Sequence, residues 1–472
     1  MTNVTYITLN GASAGLEPAA ISQFASHLKG KLITAADSDF DTARAVHNGM
    51  IDRRPALIAQ CDGVDDVAAC VNFARERSIR LSVRGGGHSA PGLGVCDGGL
   101  VIDLASFKSI SVDPAGRTVW VGGGCTWGEV DQATHPHGLA VPCGIIASTG
   151  VGGLTLGGGH GYLTRKYGLT IDNLLAAKMV LADGSQVTAS QEENPDLFWA
   201  IRGGGGNFGV VTSFQFRCHP VSTVVAGPTF WEMEKAGDVM RWYRDFIRTA
   251  PEELAGFFAF LVVPPGPPFP EALHLKQVCG VVWCYSGPVA QADAVFKPVA
   301  EFMQPLLHGV GAMPLPAFQS AFDPLYPKGL QWYWKGDFFR ELTDEAITAH
   351  LRHGTKLPTM LSSMHLYPID GAPNRVGSSE TAFSHRDAAF SEVIIGVDPD
   401  PANTELVTNW ARSYWEDLHP HSSGGAYVNF MMDEGQERVK ATYRGNYERL
   451  TQVKAKYDPG NLFRVNQNIA PK

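Results

Sequence analysis

The stretch 81–104 decides how this chain is read: Leu81-Ser-Val-Arg84-Gly85-Gly86-Gly87-His88-Ser89-Ala-Pro91-Gly92-Leu-Gly94, then Gly98-Gly99 and the apolar run Leu100-Val-Ile-Asp-Leu104. Three successive glycines let backbone N–H groups approach an anion such as a diphosphate, or simply make a tight turn. The residues after Ser89 exclude one fold. A doubly wound dinucleotide-binding unit needs a helix directly after its glycine loop, because the helix N-terminus holds the pyrophosphate. Pro91 and the glycines beyond it deny that helix. His88 has no apolar side chains beside it, so its imidazole is a metal ligand, a surface group or a nucleophile. Arg84 is an anion contact or a solvated charge.

Upstream, residues 57–60 read as a strand, 64–74 have helical spacing with Asp62 as a candidate cap, and 79–83 read as a second strand. This is the right length for a parallel pair. Downstream come strands at 100–104 and 118–121, a short helix at 127–133 and a second glycine cluster at 144–161. A hairpin spans 179–187 with Asp183-Gly184 at its turn. A third cluster at 202–209 runs into the alternating strand Val210–Arg217.

From about 224 to 413 the glycine clusters stop and aromatics and prolines rise. A proline-rich loop spans 264–270, and a helix capped by Thr343 spans 343–351. The pattern predicts an α+β chain whose middle part is one large antiparallel sheet covered by helices. The tail reads as a helix over 443–454 and the turn Asp458-Pro459-Gly460-Asn461. The expected divisions are 1–222, 223–415 and a returning segment 416–472.

The 472 residues are 44% hydrophobic and 18% charged, with net charge −9. That is a globular composition, and with Lys and Arg unclustered it argues against nucleic acid and anionic membrane as partners. Neither a basic-then-apolar leader nor an apolar run of about 18 residues is visible. The eight cysteines include no CxxC pair and several sit in apolar stretches, which predicts free buried thiols and a cytoplasmic protein. His135 and His137 read as surface loop residues, and no metal site is expected.

The second cluster contains Ser148-Thr149-Gly150-Val-Gly152-Gly153-Leu-Thr-Leu-Gly157-Gly158-Gly159-His160-Gly161. So many glycines cost conformational entropy at each position. A flat ligand or a phosphate approached by backbone justifies that cost; packing against another backbone is the other reading.

Five motifs in order extend the pattern: Arg84 to Ser89, Gly150 to Gly159, Lys166-Tyr-Gly-Leu-Thr-Ile-Asp-Asn173, Asp196-Leu-Phe-Trp199 through Thr212, and Tyr457-Asp-Pro-Gly-Asn461 through Ile469. From about residue 50 onward the chain resembles the vanillyl-alcohol-oxidase/PCMH superfamily, and within it the berberine-bridge-enzyme-like oxidoreductases. The resemblance implies a PCMH-type FAD-binding domain of two α/β subdomains, and FAD joined through its 8α-methyl carbon to His88. It implies cofactor contacts from Arg84, Gly85, Gly86, Gly87, Ser89, Gly92, Ser148, Thr149, Gly152, Gly153, Gly157, Gly158, His160 and Gly161. Gly209 and Val211 would line the adenine side, and Asn429, Asn466 and Asn468 would close over the cofactor.

The sequence departs from the family's pattern in three places. Many relatives hold FAD through a second cysteine, but register places Ile146 there and Cys143 three residues early, so a single bond through His88 is expected. The position that gates oxygen holds Thr149, which favours an oxidase using O2 over a dehydrogenase passing electrons to a quinone. Phe430 stands where relatives often have a tyrosine or histidine. Candidate bases are therefore Tyr367 and His365, which alternate on one strand face, and Tyr427. Trp332, Tyr333 and Trp334 are candidates to clamp an aromatic substrate or to fill a core. The expected reaction removes a hydride from an alcohol or amine carbon of a small organic molecule.

Overall fold

The computed structural model describes residues 4–472. Three main sheets and one short hairpin organise them. The first sheet orders Lys31–Ile33, Leu57–Gln60, Leu100–Asp103 and Leu81–Arg84 side by side, the last three parallel. The two strands expected to pair are therefore parallel but not adjacent, because Leu100–Asp103 inserts between them. The intervening helix is Val64–Glu76, and Asp62 does not cap it. Gly63 holds the N-cap, while the fully buried Asp66 reaches back to the N–H groups of Asp62, Lys29 and Gly30 at 2.8–2.9 Å.

The second sheet is antiparallel throughout, in the order Gln186–Ser190, Leu174–Val180, Val210–Arg217, Thr118–Gly122 and Ile110–Asp113. The expected Asp183-Gly184 hairpin joins its first two members. Its core includes Phe214, Phe216 and Trp127, and also Tyr443, Leu450, Val453 and Ile469 from the end of the chain. The returning helices are Gln436–Tyr443 and Tyr447–Tyr457, so the predicted single helix from 443 is divided at Arg444, whose φ is 47°.

The third sheet has eight antiparallel strands, with Leu254–Val262, Ser363–Pro368, Phe390–Asp398 and Gln331–Phe339 consecutive at one end. Side chains alternate between two buried faces. Phe258 and Phe260 pack beneath the helices Ala236–Thr249, Ala292–Phe302, Asp344–Gly354 and Thr404–Leu418; Phe257 and Ala259 face the other way, toward Tyr162, Leu169 and Tyr427. Thr343 caps its helix as expected, accepting from the Ala346 N–H.

All eight cysteines are free and buried. Among the described residues no helix is long and apolar enough to cross a membrane, and no group of His, Cys, Asp and Glu is arranged to hold a metal ion.

Candidate functional site

Where the three sheets meet there is a cavity of about 320 Å³, large enough for a small molecule. Its first wall is the 84–94 loop. Arg84 ends its strand beside Asp103 and donates to it at 2.7 Å, both side chains being buried, so it is a paired charge rather than a solvated one. Its Nη1 has no protein partner. The chain then passes through Gly86, whose backbone lies directly on Gly150. A Cβ at either glycine would stand about 2.5 Å from the other's nitrogen. The first two glycine clusters thus pack on one another at this point, and the wall they share opens onto the cavity.

The segment 144–161 is not all loop: Val151–Gly157 is a helix. Tertiary contacts override the low helix propensity of its glycines. Val151 N–H bonds to the Cys125 carbonyl, and the Leu156 carbonyl receives the N–H groups of Gly203 and Gly205 from the third cluster. Gly152 and Gly153 face the cavity, and a side chain at Gly153 would meet nothing within 4 Å.

The His88 ring stacks on His47 at 4.0 Å, and His47 in turn lies against Trp332 at 5.4 Å. Burial, then the neighbouring His47, pushes the His88 imidazole down to about 3, so it is neutral, with a free lone pair, at ordinary pH. The third cluster contributes Gly205, Gly206 and Asn207, bound to the tail by Asn207 to the Gln467 carbonyl and Asn466 to the Gly206 carbonyl.

The remaining wall is the large sheet. His365 and Tyr367 share a face, as alternation predicts, with His365 Nδ1 2.8 Å from the Tyr367 oxygen. Burial pushes the His365 imidazole down to about 3 and the Tyr367 phenol well above its usual range. Trp332 and Trp334 face the cavity, whereas Tyr333 points to the helices and accepts from Arg412. Phe322, Tyr326, Phe430, Val393 and Ile395 complete the apolar end. Arg84 is the one Lys, Arg, Asp or Glu among the lining residues.

The cavity gathers most of the residues singled out from sequence: Arg84 to Ser89, Thr149, Gly152, Gly153, His160, Gly209, Val211, Asn429, Asn466, His365, Tyr367 and Tyr427. Others stand back from it. Ser148 is exposed and bonds Asp323, meeting His88 only through its backbone. Gly92 packs on Ile51, Gly157 on Asn429, Gly158 on Phe383 and Tyr427, and Gly161 on the Cys143 carbonyl. Asn468 turns off the wall, where Gln467 lies instead. The Tyr427 oxygen already accepts from Gly159 N–H (2.8 Å) and Asn429 (2.7 Å), which makes it a strut rather than a free base. Cys143 is also absent from the wall; its sulfur receives Gln319 at 2.8 Å, and Ile145 and Ile146 face the cavity. His47 and Tyr326 were not legible from the sequence, since neither lies in a patterned position; Asn207 lies within the third glycine cluster, where the glycines rather than the amide carry the signal.

These residues fit an FAD. The glycine walls leave room for a flat group where side chains would intrude, Arg84 Nη1 and the Tyr443 hydroxyl are buried polar atoms without protein partners, and the neutral His88 lines the same cavity. The comparisons agree. Residues 55–190 match the family model described as an FAD binding domain, and 426–470 match the one described as berberine and berberine like. An FAD-linked oxidoreductase of Dictyostelium discoideum is 32% identical over 421 residues, 88% of this chain and 89% of that protein. The (R)-6-hydroxynicotine oxidase of Paenarthrobacter nicotinovorans is 30% identical, covering 94% and 97%. The crystal structure of 6-hydroxy-D-nicotine oxidase from Arthrobacter nicotinovorans superposes with TM-score 0.83 at 27% identity, covering 94% of this chain and 98% of that one. The chain belongs to the berberine-bridge-enzyme-like branch of the FAD-linked oxidoreductases.

Proposed function

We propose that the protein is an oxidase that removes a hydride from the alcohol or amine carbon of a small, flat, uncharged organic substrate and passes the electrons to O2, giving hydrogen peroxide. One observation carries this reading: the hydrogen-bonded Tyr367–His365 pair faces the same cavity as His88 and the glycine walls. Oxidases among the relatives support it, the 6-hydroxynicotine and glucooligosaccharide enzymes included.

Bound FAD supplies the two-electron acceptor. Arg84, the 85–88 backbone, Asn207, Asn466 and Tyr443 would hold it, and the neutral His88 nitrogen would carry it covalently. Cys143, occupied by Gln319, has no share in that attachment. Tyr367 takes the substrate's hydroxyl proton, which its hydrogen bond to the neutral His365 makes feasible despite a phenol that is itself a weak acid. Trp332, Trp334 and Phe430 sandwich the substrate and exclude water. With no unpaired charge on the wall, a charged substrate would be left without a counter-ion, which costs more than an aromatic contact returns.

The test is acid precipitation of the yellow protein, peptide mass spectrometry, and an anaerobic panel of benzyl, 4-hydroxybenzyl and cinnamyl alcohols. Expected are colour in the pellet on a peptide containing His88, bleaching by an aromatic alcohol, and fast recovery in air with peroxide. A flavin peptide containing Cys143 would refute the attachment. Sluggish recovery in air beside rapid reduction of quinones would make the protein a dehydrogenase.

A further inference from the structure

Gly87 takes the 84–94 loop through a left-handed conformation, φ 72°, immediately before His88. The imidazole that follows lies face to face with that of His47, the ring centroids 4.0 Å apart and the planes 17° from parallel. Both residues line the cavity. His47 is backed in turn by Trp332 at 5.4 Å, which closes off the space behind it.

The segment that carries His47 is fixed without help from its ring. The His47 N–H donates to the Gly87 carbonyl at 3.0 Å, and the His47 carbonyl accepts from the Gly329 N–H at 2.9 Å. Asn48 ties the same segment to Ala90 and Trp332. The ring is therefore spare, and it is spent on the face of His88.

Backbone geometry alone leaves His88 under-determined. The second torsion of a histidine side chain is broad and roughly two-fold, so the loop sets where the ring stands but not how its plane lies. The lone pair of a neutral imidazole sits on one ring nitrogen, in that plane. A neighbour at the ring's edge would orient it by occupying a nitrogen. A neighbour on its face orients it and occupies neither, and His47 is a neighbour of this second kind.

We infer, resting on the attachment to His88 proposed above, that His47 is a positioning residue for flavin attachment: its ring sets the plane of the His88 imidazole and so aims the lone pair that bonds to the 8α carbon of FAD. In that step one 8α C–H bond and the imidazole N–H bond break, and one C–N bond forms. Two electrons remain on the flavin ring system, and O2 takes them up with the two released protons as hydrogen peroxide.

The test compares full-length wild-type protein with His47→Ala and His47→Phe, each purified with FAD and held in air. Bound flavin is read from the visible spectrum, and attached flavin from the share of colour that stays in the acid pellet. Wild type should keep its colour in the pellet. His47→Ala should bind flavin at wild-type occupancy but attach it on the order of 10²-fold more slowly, so that fresh preparations release most colour into the supernatant. His47→Phe keeps a flat face without ring nitrogens and should attach flavin as wild type does. A merely structural role would lower occupancy and leave the pellet share of the bound flavin unchanged. His47→Ala with a wild-type pellet share overturns the inference, and so does His47→Phe behaving like His47→Ala, which would hand the role to the ring nitrogens. If His47→Ala retains no flavin, His47→Leu, bulky but not flat, decides in its place with the same expected deficit; loss of flavin there too would mean that the ring holds the cofactor and not the plane of His88, against the inference. Wild-type colour in the supernatant would instead refute the attachment itself.

Discussion

Lys454→Met removes a cation on which one cavity wall depends. Lys454 and Asp458 have side-chain exposures of 0% and 1%. The ammonium donates to Asp458 at 2.7 Å, to the Asn207 carbonyl at 2.6 Å and to the Phe463 carbonyl at 3.2 Å. Removing one member of such a pair leaves the other charged and buried, a loss of about 3–5 kcal/mol. Methionine keeps most of the stem's volume, so little cavity is added. Asp458 still receives the N–H groups of Leu462 and Phe463 at 2.8 and 2.9 Å, which places the expected cost near the lower end, about 3 kcal/mol. That is a shift of roughly 150-fold in the folding equilibrium. Urea unfolding would read it, provided the transition is reversible. Because Asn207 and Gln467 line the cavity, the variant should also be purified with less flavin. Lys454→Met with Asp458→Asn should recover more than half the loss, since the stranded charge is gone. A cost below about 1 kcal/mol for Lys454→Met would refute the reasoning.

Gly86→Ala would set a methyl against the Gly150 backbone; a loss of about 1–3 kcal/mol and a colourless preparation are expected, read by thermal melting and the visible spectrum. Tyr367→Phe should slow anaerobic flavin reduction about 10²- to 10⁴-fold while leaving the flavin in place, and wild-type rates would remove Tyr367 from the chemistry. Asp131 is buried behind the Gly144 wall, and burial, opposed by Gln319, pushes its carboxyl up to about 7. The folded state therefore keeps a proton that the unfolded state releases near 4, so this residue's contribution to stability is lost as pH rises from about 4 to 7, by about 4 kcal/mol in all. Asp131→Asn should flatten the melting temperature across that window relative to wild type, and parallel curves would contradict the assignment.

The features readable from the sequence were those carried by local pattern. Period-2 alternation announced that His365 and Tyr367 share a face, and Asp183-Gly184 announced a hairpin. Glycine density marked the walls of the cavity, although it hid the helix Val151–Gly157, which only tertiary bonds to Cys125 and Gly205 make visible. The order of parallel strands was out of reach for a different reason: helix length fixes that two strands run alike, not whether a third inserts between them. Asp62 and Asp66 illustrate a third limit. Both precede or open the same helix, and the choice fell to Asp66 because Lys29 and Gly30, more than thirty residues away, bring two further N–H groups to it.

Asn48 shows why the relation between the two halves of the site escaped sequence reasoning altogether. Nothing in Ala45-Val46-His47-Asn48-Gly49 marks it, yet this amide is 2% exposed and every part of it is used. Its Nδ2 donates to the Ala90 carbonyl at 2.7 Å and the Trp332 carbonyl at 3.0 Å, and its Oδ1 accepts from Trp332 and Met50 at 3.1 and 2.9 Å. Ala90 is two residues past His88, and Trp332 begins the aromatic wall. One side chain therefore fixes the loop that would hold the flavin against the sheet that would hold the substrate, while His47 beside it fills the gap between His88 and Trp332. A fully satisfied buried amide is rigid because any displacement strands a donor or acceptor away from water. Hydride transfer needs that rigidity, since its rate falls steeply with small errors in the approach of the reacting atoms. The precision of the site thus rests on a segment with no motif, set by contacts across more than 280 residues of chain.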